Sequence, residues 1–303
     1  MEKEEFDKYV KAGKIAQEIK KFALEIVKPE MKLINIAEAI DAKIFELGGK
    51  PAFPLNLSLN ECAAHFTPAR GDEIIATGIL KIDIGVAVDG FIADTALSID
   101  LTEDKRFSEM MELNEQILAD VTKVVKHGME VKDVGNAAAI SFEQWNKTHD
   151  SNFSIIKGLC GHSLAEYNIH AGLTISNYEN GNTKKLDEMA FAIEPFVTTG
   201  DGDIYEGQPG GIYVLQNEGN VRDRDARKIL EYIKETYSTL PFCSRWLDKE
   251  GFKKIRFSLS MMEKAGIIYQ YPMLMEKSRA PVSQFENTFV IFDGKVANTT
   301  KVE

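Results

Sequence analysis

Between Leu80 and Ile99 the chain reads LKIDIGVAVDGFIADTALSI, and no other stretch restricts the fold as tightly. Two alternating apolar runs flank Asp89-Gly90, a residue pair that strongly favours a two-residue turn between antiparallel strands. With that pair at the turn, Val88 faces Phe91, Val86 faces Ala93, Ile84 faces Thr95, Ile82 faces Leu97 and Leu80 faces Ile99. This face is almost wholly apolar and is expected to pack on helices. The other face carries Lys81, Asp83, Gly85 and Ala87 opposite Ser98, Ala96, Asp94 and Ile92. Asp83 and Asp94 thus become diagonal neighbours, about 5–8 Å apart. Their direct partners, Ala96 and Gly85, are small and should leave open space beside each carboxylate. Two bare acids so close raise each other's pKa, and bridging cations relieve the repulsion. A bulge at Gly85, or a slip of one residue, would put one aspartate on the opposite face.

Three further residues sit in or beside short apolar, strand-like stretches: His162, Glu194 in FAIEPF and Glu286 in SQFENT. Four carboxylates driven into one interior would be costly to ionise. A pair of divalent cations removes that cost, and such a pair at protein carboxylates is suited to hydrolysis.

The remainder of the chain narrows the setting. Its 303 residues suffice for one large domain or two modest ones. No run of about 18 apolar residues is present, so no membrane-spanning helix is expected. The charged start MEKEEFDKYVKAGK lacks the apolar centre of a signal peptide. A net charge of −11 argues against specific nucleic-acid or anionic-membrane binding. Three cysteines, Cys62, Cys160 and Cys243, form no CxxC pair, which suits a reducing cytoplasm. Cys62 and Cys160 are read as small core residues.

A helix is expected from Phe6 to Val27, ended by Pro29. A second should start at Asn35, with Glu38 completing a capping box, and stop at Gly48-Gly49. Strands follow from about residue 70, helices near 106–127 and 131–148, strands near 155–198, a helical block near 222–265, and two closing strands around Asp293-Gly294. The order indicates an α+β domain interrupted late by helices.

Of the five histidines, His127 at a helix end and His149 in a polar loop read as surface residues. His65, His162 and His170 lie among Gly and Ala, where close approach is cheap. Imidazole is the commonest metal ligand and the natural proton partner near neutral pH. Spacing alone does not say which of the three binds metal.

The blocks FPLNLSLNECAAHFTP (53–68), KIDIGVAVDGFIADTA (81–96), GHSLAEYNIHAG (161–172), FAIEPF (191–196), LPFCSRWL (240–247) and SQFENT (283–288) resemble type II methionine aminopeptidase. The resemblance covers essentially the whole chain, in the right order. It implies a pita-bread fold, antiparallel sheets flanked by helices, with 1–303 as one catalytic domain and 215–275 as an inserted helical subdomain. The resemblance makes Asp83, Asp94, His162, Glu194 and Glu286 the ligands of two divalent ions (Co²⁺, Mn²⁺, Fe²⁺ or Zn²⁺), with Asp94 bridging. It makes His65 and His170 substrate-contacting and Glu194 a proton carrier, with Phe53, Pro241 and Tyr271 lining the side-chain pocket. The chain begins almost directly with the catalytic domain, as the archaeal enzymes do. Ala165 and Pro241 depart from residues often found in the family, and Pro241 should alter the pocket.

The implied activity is removal of the initiator methionine from nascent polypeptide N-termini with a small second residue, through a hydroxide activated by two metals, by a cytoplasmic monomer. An enzyme of nascent chains would work near the ribosome, although no residue here shows contact with it. A prolidase or aminopeptidase P would share the ligand set but cleave before proline. A metal-free binding protein of the same fold would replace ligand positions, and all five stand here. Arg222, Arg224, Arg227 and Lys228 give the helical block a basic start, but Asp223, Asp225 and Glu231 dilute it.

Overall fold

In the computed structural model, which describes residues 1–302, the aspartate hairpin has the expected register throughout, from Val88 opposite Phe91 to Leu80 opposite Ile99. Asp89 and Gly90 both have positive φ, 49° and 86°, as a right-twisted two-residue turn requires. No bulge interrupts the ladder at Gly85, which pairs with Asp94. The other edge of Ile79–Val88 pairs with Asn56–Leu59 and, nearer the turn, with Lys50–Pro51.

Helix α1 (Lys3–Ile26) packs its face on the apolar side of this hairpin. The residues it buries are Tyr9, Ile15 and Ile19 together with Ala12, Gly13, Ala16 and Ala23, while Phe6, Val10 and Phe22 stay half-buried. Small side chains let the helix backbone approach the sheet, so the larger ones are pushed to the flanks. Each fully buried isoleucine in this contact contributes about 1.5–3 kcal/mol.

Helix α2 (Leu33–Glu46) starts before Asn35, with Lys32 at the N-cap and no side-chain cap. The expected capping box is therefore not used. The Leu33 N–H is instead satisfied by the Ile74 carbonyl at 2.9 Å, from the neighbouring chain segment. A tertiary acceptor has replaced the local one. Gly48 ends the helix with φ 82°.

Helices α3 (Ser108–Val124) and α4 (Val131–Thr148) pack together, and α3 covers Phe196–Thr198 and Val282–Gln284. Every strand pairing among the described residues is antiparallel. One sheet runs Lys295–Asn298, Asn287–Phe292, Ala190–Ile193, Gly161–Leu164, Thr174–Ile175. Another joins the long strands Ile204–Leu215 and Ile268–Glu276 to Cys62–Ala64 and Phe242–Cys243. Between those two long strands run α5 (Arg224–Thr236), α6 (Ser244–Lys249) and α7 (Ile255–Lys264), which build an apolar cluster of their own around Ile229, Ile233, Leu247 and Met262.

One buried ion pair ties this helical block to the rest. Arg245 and Asp41 are each 1% exposed, with Nη2 3.0 Å from Oδ2. Arg245 Nη1 also donates to the Pro68 carbonyl at 2.7 Å, and Trp246 Nε1 donates to Asp41 at 2.8 Å. Arg245→Met would leave Asp41 charged, buried and without its cation. Such a change is expected to lower unfolding free energy by about 3–5 kcal/mol, read from chemical denaturation. A loss below about 1 kcal/mol would mean the pair adds no more than an exposed one.

Candidate active site

Two strand ends and one stitched edge bring the acids together. Ile193 pairs with Asn287 in the register of Ala190–Ile193 against Asn287–Phe292. Continuing that register by one residue sets Glu194 opposite Glu286. The free edge of Phe91–Asp100 is then fastened to the same segment. Thr288 Oγ1 accepts from Asp94 N at 2.8 Å and donates to the Asp94 carbonyl at 2.6 Å. Thr95 Oγ1 donates to the Glu286 carbonyl at 2.6 Å, and Glu286 N donates to the Ala96 carbonyl at 3.0 Å. These bonds leave Asp94 and Glu286 side by side. His162, on Gly161–Leu164 beside the strand Ala190–Ile193 that Glu194 follows, turns Nε2 toward two acids, 3.6 Å from Asp94 Oδ2 and 3.6 Å from Glu194 Oε1.

All ten residues singled out from the sequence line one cavity of about 460 Å³: Phe53, His65, Asp83, Asp94, His162, His170, Glu194, Pro241, Tyr271 and Glu286. That size suits a short peptide segment. His127 and His149 lie elsewhere, the first near Asp187 and the second stacked on Trp145 at 3.9 Å.

The electrostatics are those of a site built for cations. Burial pushes the Asp83 carboxyl up to about 7. Burial, then repulsion from the other acids, holds Asp94, Glu194 and Glu286 well above the usual carboxylate range. Burial and the neighbouring His170 lower His65 to about 4 and His162 to about 3, so both are neutral imidazoles at pH 7. Asp83 Oδ1, Asp94 Oδ1 and Glu286 Oε1 are buried with no hydrogen-bond partner among the described residues. One donor atom from each of Asp94, His162 and Glu286 lies within 4.8 Å of the others. The acid oxygens of Asp94 and Glu286 beside a neutral imidazole fit a divalent cation, while Asp83 and Glu194 line the same cavity outside that group of three.

Two expectations need correction. The space beside Asp94, across from it at Gly85, is not open. A Cβ at Gly85 would stand 2.3 Å from Phe53 Cε1, so the missing side chain makes room for the Phe53 ring instead of an ion. Cys160 is half-buried on the cavity wall, whereas Cys62 is core. The reason is that Cys160 directly precedes the strand that carries His162 along the same cavity.

Other residues of the site drew no attention in the sequence. Asn56, Ile212 and Leu274 line the cavity. Gln284 is 1% exposed and its Nε2 reaches Glu194 Oε2 at 3.4 Å. Asn56 and Gln284 shared one detectable signal, an amide at an inward position of an apolar strand.

Comparison with known proteins gives the family and the fold. Residues 7–227 match the model of metallopeptidase family M24. The chain is 41% identical to a methionine aminopeptidase of Pyrococcus horikoshii over 97% of its length and 99% of that protein's. A methionine aminopeptidase structure from Rickettsia prowazekii matches in fold, with TM-score 0.67 and 19% identity over 99% of this chain and 98% of that one. A thermophilic Arx1 structure matches with TM-score 0.79 and 18% identity over 99% and 91%.

Proposed function

The chain belongs to metallopeptidase family M24, and from that premise we propose that it removes N-terminal methionine from peptides and nascent proteins whose second residue is small. It is a metal-dependent aminopeptidase of the pita-bread fold. The observation that carries this reading is the cavity itself, in which unpartnered acid oxygens meet an apolar wall.

Asp83, Asp94, His162, Glu194 and Glu286 would hold two divalent ions. The oxygen-rich donor set suits Mn²⁺, Fe²⁺ or Co²⁺ and tolerates Zn²⁺. Such ions, when bound, polarise a carbonyl and make water nucleophilic at neutral pH. The protein supplies the rest. The free α-amine of the substrate is drawn to the acid cluster, which restricts cleavage to the first residue. A Glu194 oxygen takes the proton from the attacking water and delivers it to the departing amine nitrogen. His170 donates its N–H to the carbonyl oxygen as charge develops there. His65, a neutral imidazole, orients the scissile amide. Phe53, Pro241 and Tyr271, joined by Ile212 and Leu274, form an apolar wall that suits methionine, which is long, unbranched and polarisable.

Residues 215–275 form the inserted helical subdomain of this reading. Helices α5, α6 and α7, which lie in the connection 216–267 between two paired strands, support it; the end of the range, from Ile268, is a strand of the adjoining sheet. No helix among the described residues is long and apolar enough to cross a membrane. We take the enzyme to be a cytoplasmic monomer that meets its substrates as they leave the ribosome.

The test is a metal-reconstitution series with Met-Ala-Ser and Ala-Pro as substrates. Release of methionine with no cleavage of Ala-Pro is expected. The reverse preference would make the chain a prolidase of the same family, a reading that its relatives' names favour less. Within the same assay, His65→Ala is expected to lower kcat about 100-fold with metal content unchanged. Loss of metal in that variant would instead make His65 a ligand.

A further inference from the structure

We propose that Asn56 is a positioning residue that aims the His65 imidazole into the cavity by holding the His65 backbone in the left-handed region. The inference rests on the role given to His65 above.

His65 follows the strand Cys62–Ala64 and has φ +68°. That conformation costs a non-glycine residue free energy, and favourable contacts offset the cost. Two groups favour it here. The His65 N–H donates to Asn56 Oδ1 at 2.9 Å. The other end of the same amide is fixed, since Asn56 Nδ2 donates to the Pro54 carbonyl at 3.0 Å. Asn56 is 4% exposed, so water does not compete for these bonds. On the opposite side, Gly210 admits the His65 carbonyl, where a Cβ would stand 1.7 Å from the oxygen. The Gly210 carbonyl in turn accepts from Thr67 N at 2.9 Å, closing the loop behind His65.

The ring is enclosed, with few hydrogen bonds to aim it. His65 Nδ1 has no hydrogen-bond partner among the described residues. Its neighbours are the Tyr271 ring, 5.4 Å away between centroids, and the Pro272 carbonyl. The direction of the ring is therefore inherited largely from its backbone. Asn56 also pairs with Asp83 across the strand boundary. One residue thus relates the histidine's position to the strand that carries an acid of the metal site, over which the scissile bond must lie.

The experiment is a double-mutant cycle on the metal-loaded enzyme with Met-Ala-Ser, recording kcat, KM and bound metal for Asn56→Ala, His65→Ala and the double variant. Asn56→Ala is expected to lower kcat about 10- to 100-fold, with bound metal unchanged and KM little affected. In the His65→Ala background the same substitution should lower kcat by less than about twofold, because no ring is left to misplace. An equal loss in both backgrounds would overturn the proposal and make Asn56 merely structural. Wild-type kcat in Asn56→Ala would overturn it as well. Should His65→Ala itself retain full kcat, the role of His65 falls, and the inference with it. If Asn56→Ala does not fold, Asn56→Ser, whose hydroxyl is too short to reach the His65 N–H, is carried through the same cycle.

Discussion

Replacing Glu194 with glutamine is expected to lower turnover at least about 1,000-fold while the protein stays folded, because general acid–base catalysis alone is worth about 10²–10⁴. Glutamine keeps the shape of the side chain and one carbonyl oxygen, but it cannot carry a proton between water and amine. Glu194 is placed for that task. It stands beside His162 at 3.6 Å, receives the Gln284 amide at 3.4 Å, and is held above the usual carboxylate range by burial and by Asp94 and Asp83. A carboxylate held above its usual range accepts a proton near neutral pH more readily than an ordinary one does, and so can pass it on to the departing amine. Circular dichroism establishes the fold and metal analysis the occupancy, and kcat on Met-Ala-Ser gives the result. Turnover within about tenfold of wild type, with metal retained, would remove Glu194 from the proton transfer and leave it a ligand only.

Stripping divalent cations should have the second large effect, abolishing cleavage and lowering the thermal midpoint together. Four acids share the cavity, and three of their oxygens have no hydrogen-bond partner among the described residues. Without cations they are held by protons or by mutual repulsion, both worse than coordination. A ligand that binds only the folded state at 100 times its Kd contributes about 2.7 kcal/mol of stability. The midpoint should therefore fall on dialysis against a chelator and recover when Co²⁺, Mn²⁺, Fe²⁺ or Zn²⁺ is returned, with activity recovering in step. Unchanged cleavage and an unchanged midpoint, in protein shown to be metal-free by elemental analysis, would contradict the proposed metal dependence of this site.

Much of the site could be read from local pattern. The hairpin register followed from Asp89-Gly90 and strict alternation, since a two-residue turn leaves a single way to pair the strands. Helices α3 and α4 followed from apolar periodicity. The misreadings share a physical origin. Asn35 looked like a cap, yet the Ile74 carbonyl satisfies the helix start. Gly85 looked like room for an ion, yet Phe53 fills it. In both cases a residue distant in the chain decided the matter.

The same division holds for the protein as a whole. Alternation and turn chemistry act between near neighbours, so the linear order of residues alone determined that Asp83 and Asp94 share one face of a hairpin. Whether Glu286 would meet Glu194, and both meet Asp94, depended on the pairing of Ile193 with Asn287 and on Thr288 and Thr95 fastening the free edge of the hairpin. Those contacts span roughly a hundred to two hundred residues of chain. Local preferences carry no information over such distances, because it is the packing of the whole core that selects which strand ends become neighbours.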